Sequence, residues 1–386
     1  MIESQTDITI VGGGPVGLYL AGILLQRGIN CRVLEKKSSI DLHSKSLGIH
    51  PVSLELFDEA GIVDPFLENG LKIENGIAFW NREKVGEITF DRCPPPYRFI
   101  LSIPQWTTEQ ILEKWIHALD PDSLLREAEV TSLIEKNDRV ELTYHHQNEE
   151  HRIVSKYVVG CDGKNSFIRG AIQIPFEGGP YPDTYIMGDF SDNTSFGTDA
   201  AVYLHEEGLI ECFPLPNGHR RWVAKTDDPI ETPEKEVLVE LISHRLGHSL
   251  DRCENYMMSS FGVQHLLASR LYSGRVLLAG DAAHVVSPIG GQGMNLGWIG
   301  AYHCAQALTD LVSSGEKAEN RLEKYSNEHR KIAKQVAKRA ELNMHLGRKK
   351  SSGLFYKMGV SLLIKTGLSH LLAKIFTMRG LGRWVI

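Results

Sequence analysis

The chain has 386 residues, 42% of them hydrophobic and 23% charged, which is room for two or three lobes with a sizeable core and excludes wholesale disorder or a collagen-like repeat. The net charge of −6 is uneven: from Arg330 to Ile386 there are 13 Lys/Arg against one acid, Glu341, a balance of +12 that leaves −18 for the residues before it. Six cysteines at 31, 93, 161, 212, 253 and 304, with no CxxC, argue against a disulfide framework or a zinc site and for a reducing cytoplasm.

Met1 to Asp7 carries two acids and no base, the wrong charge for a signal-peptide start. Ile8 to Gln26 is uncharged and near spanning length. Gly12-Gly13-Gly14-Pro15 would break a spanning helix, so a buried strand, a tight turn and a buried helix are expected instead. Asp7 to Val11 is a β-branched run, followed by Gly12-x-Gly14-x-x-Gly17 and an apolar helix stopped by Gly28. Cys31 to Leu34 is a second strand that ends in Glu35. Gly12 allows the tight turn, Gly14 lets the backbone approach a pyrophosphate, and Gly17 lets helix and strand pack closely. The helix N-terminus offers free N–H groups to phosphate, and Glu35 can accept from a ribose diol. This motif alone does not choose between NAD and FAD.

Further along, Gly76 to Phe90 reads as a hairpin, and Ile103-Pro-Gln105 opens a helix. Tyr157 to Gly160 is a strand running into the polar turn Asp162-Gly163. Ala200–His205 and Leu209–Pro214 form another expected hairpin, continued by a strand from His219 to Lys225. Gly274 to Ala279 is a buried strand ending in Gly280-Asp281-Ala-Ala-His284, and Pro288 to Asn295 is a glycine-rich loop that opens a helix. Sixteen histidines show no ligand pattern, so no metal is expected.

The three glycine-bearing motifs, in this order, resemble the para-hydroxybenzoate hydroxylase family of single-component FAD monooxygenases, the group that includes ubiquinone-pathway hydroxylases. The resemblance covers Asp7 to about Arg330, where Leu322-Glu-Lys-Tyr325-x-x-Glu328-His-Arg330 matches the family's closing helix. It implies an α/β fold: a Rossmann-like ββα FAD domain with an inserted mixed β-sheet substrate domain and a C-terminal helical segment. The expected division is 1–75, 100–178 and 265–330 for FAD, 76–99 and 179–264 for substrate, and 331–386 for the basic segment. The resemblance places the ADP half of FAD on Gly12, Gly14, Gly17 and Glu35, gives Asp162 and Gly163 to FAD and the nicotinamide cofactor, and sets Asp281 on the ribityl chain. Pro288, Gly291, Gly293, Met294 and Asn295 would lie beside the isoalloxazine, with Gln105 as a further cofactor contact. Two positions depart from the pattern: Lys45, a further cofactor contact by the resemblance, stands where the family usually has an Arg and cannot make that residue's bidentate contact, and Gly300 stands where an Asp is common.

The implied activity is NAD(P)H-driven hydroxylation of a hydrophobic aromatic or heteroaromatic molecule with O₂, through a flavin hydroperoxide, NADH or NADPH serving as a transient reductant. Pro288, Tyr203, His205 and Arg220 are the candidate catalytic residues, with Glu211 and Arg221 as further candidate substrate contacts on the same group of strands. His284 adjoins the flavin loop. Alternative readings on the same fold are a flavin halogenase, a prenyl-chain reductase, and a non-catalytic FAD-fold binding protein. The chain lacks a halogenase Trp-x-Trp-x-Ile-Pro run and keeps the hydroxylase form of Gly280-Asp281-Ala-Ala-His284.

Beyond Arg330, Leu354, Phe355, Met358, Leu362, Leu363, Leu368, Leu371, Leu372, Ile375 and Phe376 recur at helical spacing among lysines. Two arrangements suit this: a helix pair packed on the acidic body, or a basic amphipathic segment on the inner face of an anionic membrane. No nucleic-acid motif accompanies the charge, so no nucleic-acid partner is expected.

Overall fold

The computed structural model describes residues 3–42, 46–314, 318–348, 373 and 377–380. Among these the chain builds two eight-stranded sheets and one of three strands. The first sheet has a parallel centre. Glu3–Val11 lies between Glu149–Gly160 and Cys31–Glu35, and Val276–Leu278 adds parallel to the outer side of Glu149–Gly160. These strands are apolar on both faces because helices cover them, which is why they read as continuous hydrophobic runs. The helices Pro15–Gln26 and Gln292–Ser314 pack beside this sheet, with Leu18, Leu20, Trp298 and Leu308 fully buried.

The second sheet is mixed. Phe176–Ser191, His219–Thr226, Ile210–Leu215 and Ala200–Leu204 run antiparallel in that spatial order, and Asn75–Trp80 then joins parallel to Ala200–Leu204. Gly76 to Phe90 therefore does enter this sheet as a hairpin. Strand alternation divides the sheet's two faces. One face carries Ile186, Phe190, Tyr203, Ile210, Cys212 and Trp222, covered by Leu238, Val239 and Ile242 of the helix Lys235–Leu246. The other face looks toward the first sheet.

The expected divisions at 178/179, 264/265 and 330/331 fall inside elements, not between them. Phe176–Ser191 and Asn255–Ala268 pair along their length and pass from one layer to the other. The helix Ala318–Gly347 is likewise continuous through Arg330. Its first half pins the Gly-Asp strand: Tyr325 Oη donates to Leu278 O at 2.7 Å, Ser326 Oγ accepts from Leu271 N, and Arg330 Nε donates to Ala268 O. Its second half reaches the other sheet, where Met344 is buried beside Leu209 and Gly347 O accepts from Leu209 N at 3.0 Å.

Gly300 has a steric explanation. A Cβ there would stand 2.5 Å from His329 Nε2, the atom that hydrogen-bonds His284 Nε2 at 2.8 Å. The His329 ring fills the space that a side chain at position 300 would need.

The apolar run from Leu354 to Leu372, and Ile375 and Phe376, lie outside the described residues. Near its end the chain packs on the body. Ala373 is buried with Phe90 and Cys93, Arg379 pairs with Glu55, and Arg379 Nη2 donates to Pro94 O.

Candidate active site

At the end of the first strand the backbone turns at Gly12, whose φ of +108° suits glycine. A Cβ on Gly12 would stand 2.3 Å from Cys161 O, and one on Gly17 would stand 2.0 Å from Gly12 O. Both glycines are therefore needed for the packing of strand, turn and helix. Gly14 differs, because a Cβ there would meet nothing within 4 Å. It is the N-cap of Pro15–Gln26 and brings no side chain to cap the first-turn N–H groups. Glu35 accepts from Gly13 N at 2.6 Å and from Lys37 N at 2.8 Å, which holds the carboxylate beside the turn.

Asp162 is engaged locally: it accepts from Ser166 Oγ at 2.5 Å and from Ile168 N at 3.1 Å, ordering the short helix that follows. Asn295 is a buried latch. Its amide accepts from His50 N and donates to Gly48 O and Gly291 O, all at 2.8–2.9 Å, so the glycine loop is tied to the segment before Pro51–Glu59. The loop is also held to the second sheet, since His284–Val285 pairs with Leu266 and Leu267.

A cavity of about 660 Å³ joins these parts. Gly14, Pro15, Gly163, Gly280 and Asp281 line one end, and Pro288, Gly291, Gly293 and Met294 line the middle, with Gln105 also on the wall. The far wall is the inward face of the second sheet, where Val202, Leu204, Glu211, Phe213, Arg221 and Val223 stand at alternate positions of three strands. Asp281 is open to the cavity but ringed by protein, and desolvation, opposed by Lys164, pushes its carboxyl up to about 6. Arg221 is bidentate to Asp189, at 2.6 and 2.8 Å.

The groups at the first end fit FAD. The open side of Gly14 leaves room for a pyrophosphate against a helix N-terminus, the Glu35 carboxylate is held beside that turn, and the Gln292–Ser314 helix starts at the glycine loop, offering its positive end. The sequence profile described as "FAD binding domain" matches residues 5–340. The chain belongs to this family of flavin-dependent aromatic monooxygenases.

Among its relatives is an "Uncharacterized aromatic compound monooxygenase YhjG" of Bacillus subtilis (strain 168), 29% identical over 93% of this chain and 72% of that one. Rifampicin monooxygenase of Streptomyces venezuelae is 30% identical over 86% of this chain and 69% of that one. The p-nitrophenol 4-monooxygenase PnpA of Pseudomonas putida DLL-E4 shares the fold, with a TM-score of 0.89, 99% of this chain and 100% of that one covered, and 21% identity.

Within this flavin-dependent monooxygenase, three expected substrate contacts do not reach the cavity. Tyr203 points to the opposite face of its strand from Val202 and Leu204, and stacks on Phe79 with ring centroids 4.4 Å apart. Arg220 is fully buried, one residue out of phase with Arg221. It donates to Asp192 at 2.9 Å and to the carbonyls of Asp199 and Gly197, bracing a loop. His205 sits in the turn beyond its strand, where Nδ1 accepts from Glu207 N at 3.1 Å. Glu211 and Arg221 do line the cavity, as does Pro288. Lys45 lies outside the described residues.

Some of the monooxygenase's cavity residues went unread in the sequence. Phe213 follows Glu211 by two positions and was available from alternation. Met187, Phe261 and His50 gave no local signal, because distant strands and a loop bring them to the wall.

Proposed function

We propose that this flavin-dependent monooxygenase hydroxylates a hydrophobic aromatic small molecule held between the glycine loop 288–294 and the inward face of the second sheet. The observation that carries this reading is a continuous cavity whose lining passes from Gly14 and Asp281 to Phe213, Phe261 and Val223. Bound FAD, reduced by NADH or NADPH, supplies the activation of O₂. The chain's own part is to place the ring and keep water away. Met187, Val202, Leu204, Val223 and Phe261 give an apolar wall for an aromatic ring, and Arg221, fixed by Asp189, marks a polar corner. Gly12, Gly14, Gly17, Glu35, Gln105, Asp162, Gly163 and Asp281 are the assigned cofactor contacts, with Pro288 to Asn295 beside the ring system.

The test is anaerobic stopped-flow reduction of the holoprotein by NADH and by NADPH, followed by mixing with oxygen and candidate aromatics. Reduction by at least one cofactor and a product heavier by one oxygen are expected. Failure of both to reduce the flavin would overturn the single-component reading.

We assign residues 76–99 and 179–264 to the substrate lobe, with the crossover strands shared. For 331–386 we favour packing on the body over a membrane role, on the burial of Met344, Ala373 and Arg379. No helix among the described residues is long and apolar enough to cross a membrane. Co-sedimentation with anionic liposomes tests the choice, and tight binding would reverse it. The cytoplasmic placement rests on the cysteine pattern.

A further inference from the structure

Two carboxyls line the cavity among the described residues, Asp281 at the cofactor end and Glu211 on the substrate sheet. Glu211 is 8% exposed, lines the cavity from the second position of Ile210–Leu215, and makes no hydrogen bond or ion pair among the described residues. The other polar side chains on that side are already engaged. Ser102 Oγ donates to Pro214 O at 2.6 Å, Asn75 Nδ2 donates to Asp199 at 3.1 Å, and Arg221 is held by Asp189. A buried, unpartnered carboxyl costs stability, and its directly paired neighbours are Val202 and Val223, which give it no hydrogen bond.

Position adds to this. Val202 and Val223 belong to one apolar cluster with Met187, Leu209 and Ile289, and Ile289 sits in the glycine loop between Pro288 and Gly290. Glu211 thus emerges from the patch of sheet that packs on the loop assigned to the flavin ring. We propose that Glu211 accepts the phenolic proton of the bound substrate, so that this chain acts on aromatics bearing a free hydroxyl. The inference rests on the aromatic-hydroxylase reading above.

In the step, the phenol O–H bond breaks, a carboxyl O–H bond forms, and the oxygen lone pair raises electron density at the ortho and para ring carbons. The oxygen atom and the electrons come from O₂ and NAD(P)H. As the hydroxylated ring carbon loses its own proton, the former phenol oxygen regains one from Glu211. Desolvation pushes the Glu211 carboxyl up to about 7, closer to a phenol than an ordinary carboxylate stands. The charged groups around it are paired with one another: Arg221 with Asp189 on one side, and Lys225, Asp183 and Arg348 on the other. Tyr185, on the strand beyond His219–Thr226, is a buried phenol whose own ionisation burial and Glu211 oppose. The facing loop residues, Pro288 to Gly291, do not titrate.

The experiment compares the wild-type holoenzyme with Glu211→Gln and Glu211→Asp, using phenol, 4-nitrophenol and 4-nitroanisole. At about pH 8.5 both Glu211 and free 4-nitrophenol are ionised, so binding should take up roughly one proton per site. That uptake should vanish in E211Q, and the methyl ether should show none with either protein. Hydroxylation of the phenols should fall about 10²–10⁴-fold in E211Q, with flavin still bound, and E211D should recover much of the rate. Equal proton uptake in E211Q, near wild-type turnover in that variant, or an ether hydroxylated as fast as its phenol would each overturn the proposal. A wild-type holoenzyme that hydroxylates no aromatic would instead sink the functional reading beneath it.

Discussion

Arg348 forks onto Asp183: Nη2 stands 2.6 Å from Oδ2, and Nε is 3.1 Å from both carboxylate oxygens. Asp183 is only 1% exposed and has Lys225 as a second, looser partner at 3.6 Å. The pair fastens the end of the helix Ala318–Gly347 to the strand Phe176–Ser191, so a residue of the basic segment is an internal ligand of the acidic body. Arg348→Ala should lower unfolding stability by about 2 kcal/mol, because it strips a buried carboxylate of its best donor. Arg348→Lys should recover part of that loss, since an ammonium cannot fork. Denaturant unfolding at neutral pH reads both values.

The two turn glycines should separate under substitution. Gly14→Ala adds a Cβ that meets no protein atom, so apo-protein stability should change by no more than about 1 kcal/mol. FAD affinity should fall at least about tenfold if a pyrophosphate lies there. Gly17→Ala drives a Cβ into Gly12 O, and it should lose stability and flavin together. Flavin absorbance after gel filtration, beside apo-protein melting, distinguishes the two.

Gly300→Ala should destabilise by about 1–3 kcal/mol through overpacking against His329, and should disturb its bond to His284. Burial holds both histidines below their ordinary ionisation range, His284 at about 4. Their folded forms bind fewer protons than the unfolded chain, so their contribution is complete above about pH 6.5 and declines as pH falls toward 4. The alanine variant should show a shallower acid-side loss, measurable as melting temperature against pH.

Glu211 pulls the other way in the same range. Its folded form is raised to about 7 from an ordinary value of 4.5, so its favourable contribution is present below about pH 4.5 and is lost as pH rises through 7. Removing the group removes that slope. Between pH 4 and pH 8 the stability of Glu211→Gln relative to wild type should move in the variant's favour by up to about 3 kcal/mol. A gap that stays constant across those pH values would mean that Glu211 is not desolvated as described.

The cofactor end was legible because its chemistry is local. Gly12, Gly14 and Gly17 sit within six residues, and Asp281 and Gly291 belong to short runs whose spacing already implies strand, turn and helix. The parity of the substrate strands was not legible in the same way. Tyr203 and Arg220 are neighbours in sequence of Val202 and Arg221, and which of each pair faces the cavity depends on the side that the helix Lys235–Leu246 covers. That helix begins 15 residues after Arg220 and 32 after Tyr203 and has no signature tying it to either face. The continuity of Ala318–Gly347 across Arg330 was hidden for a related reason: the change in charge there marks a change of neighbours, not an end of helix.

The second sheet has one further consequence. Odd positions of Ala200–Leu204 and even positions of His219–Thr226 anchor the sheet to its helix, and the alternate positions line the cavity proposed for the substrate. Stability and selectivity are therefore written in separate, interleaved registers of the same strands. Cavity-facing residues can drift toward a new ring or substituent at little risk to folding, whereas the same exchange one position along would strike the scaffold.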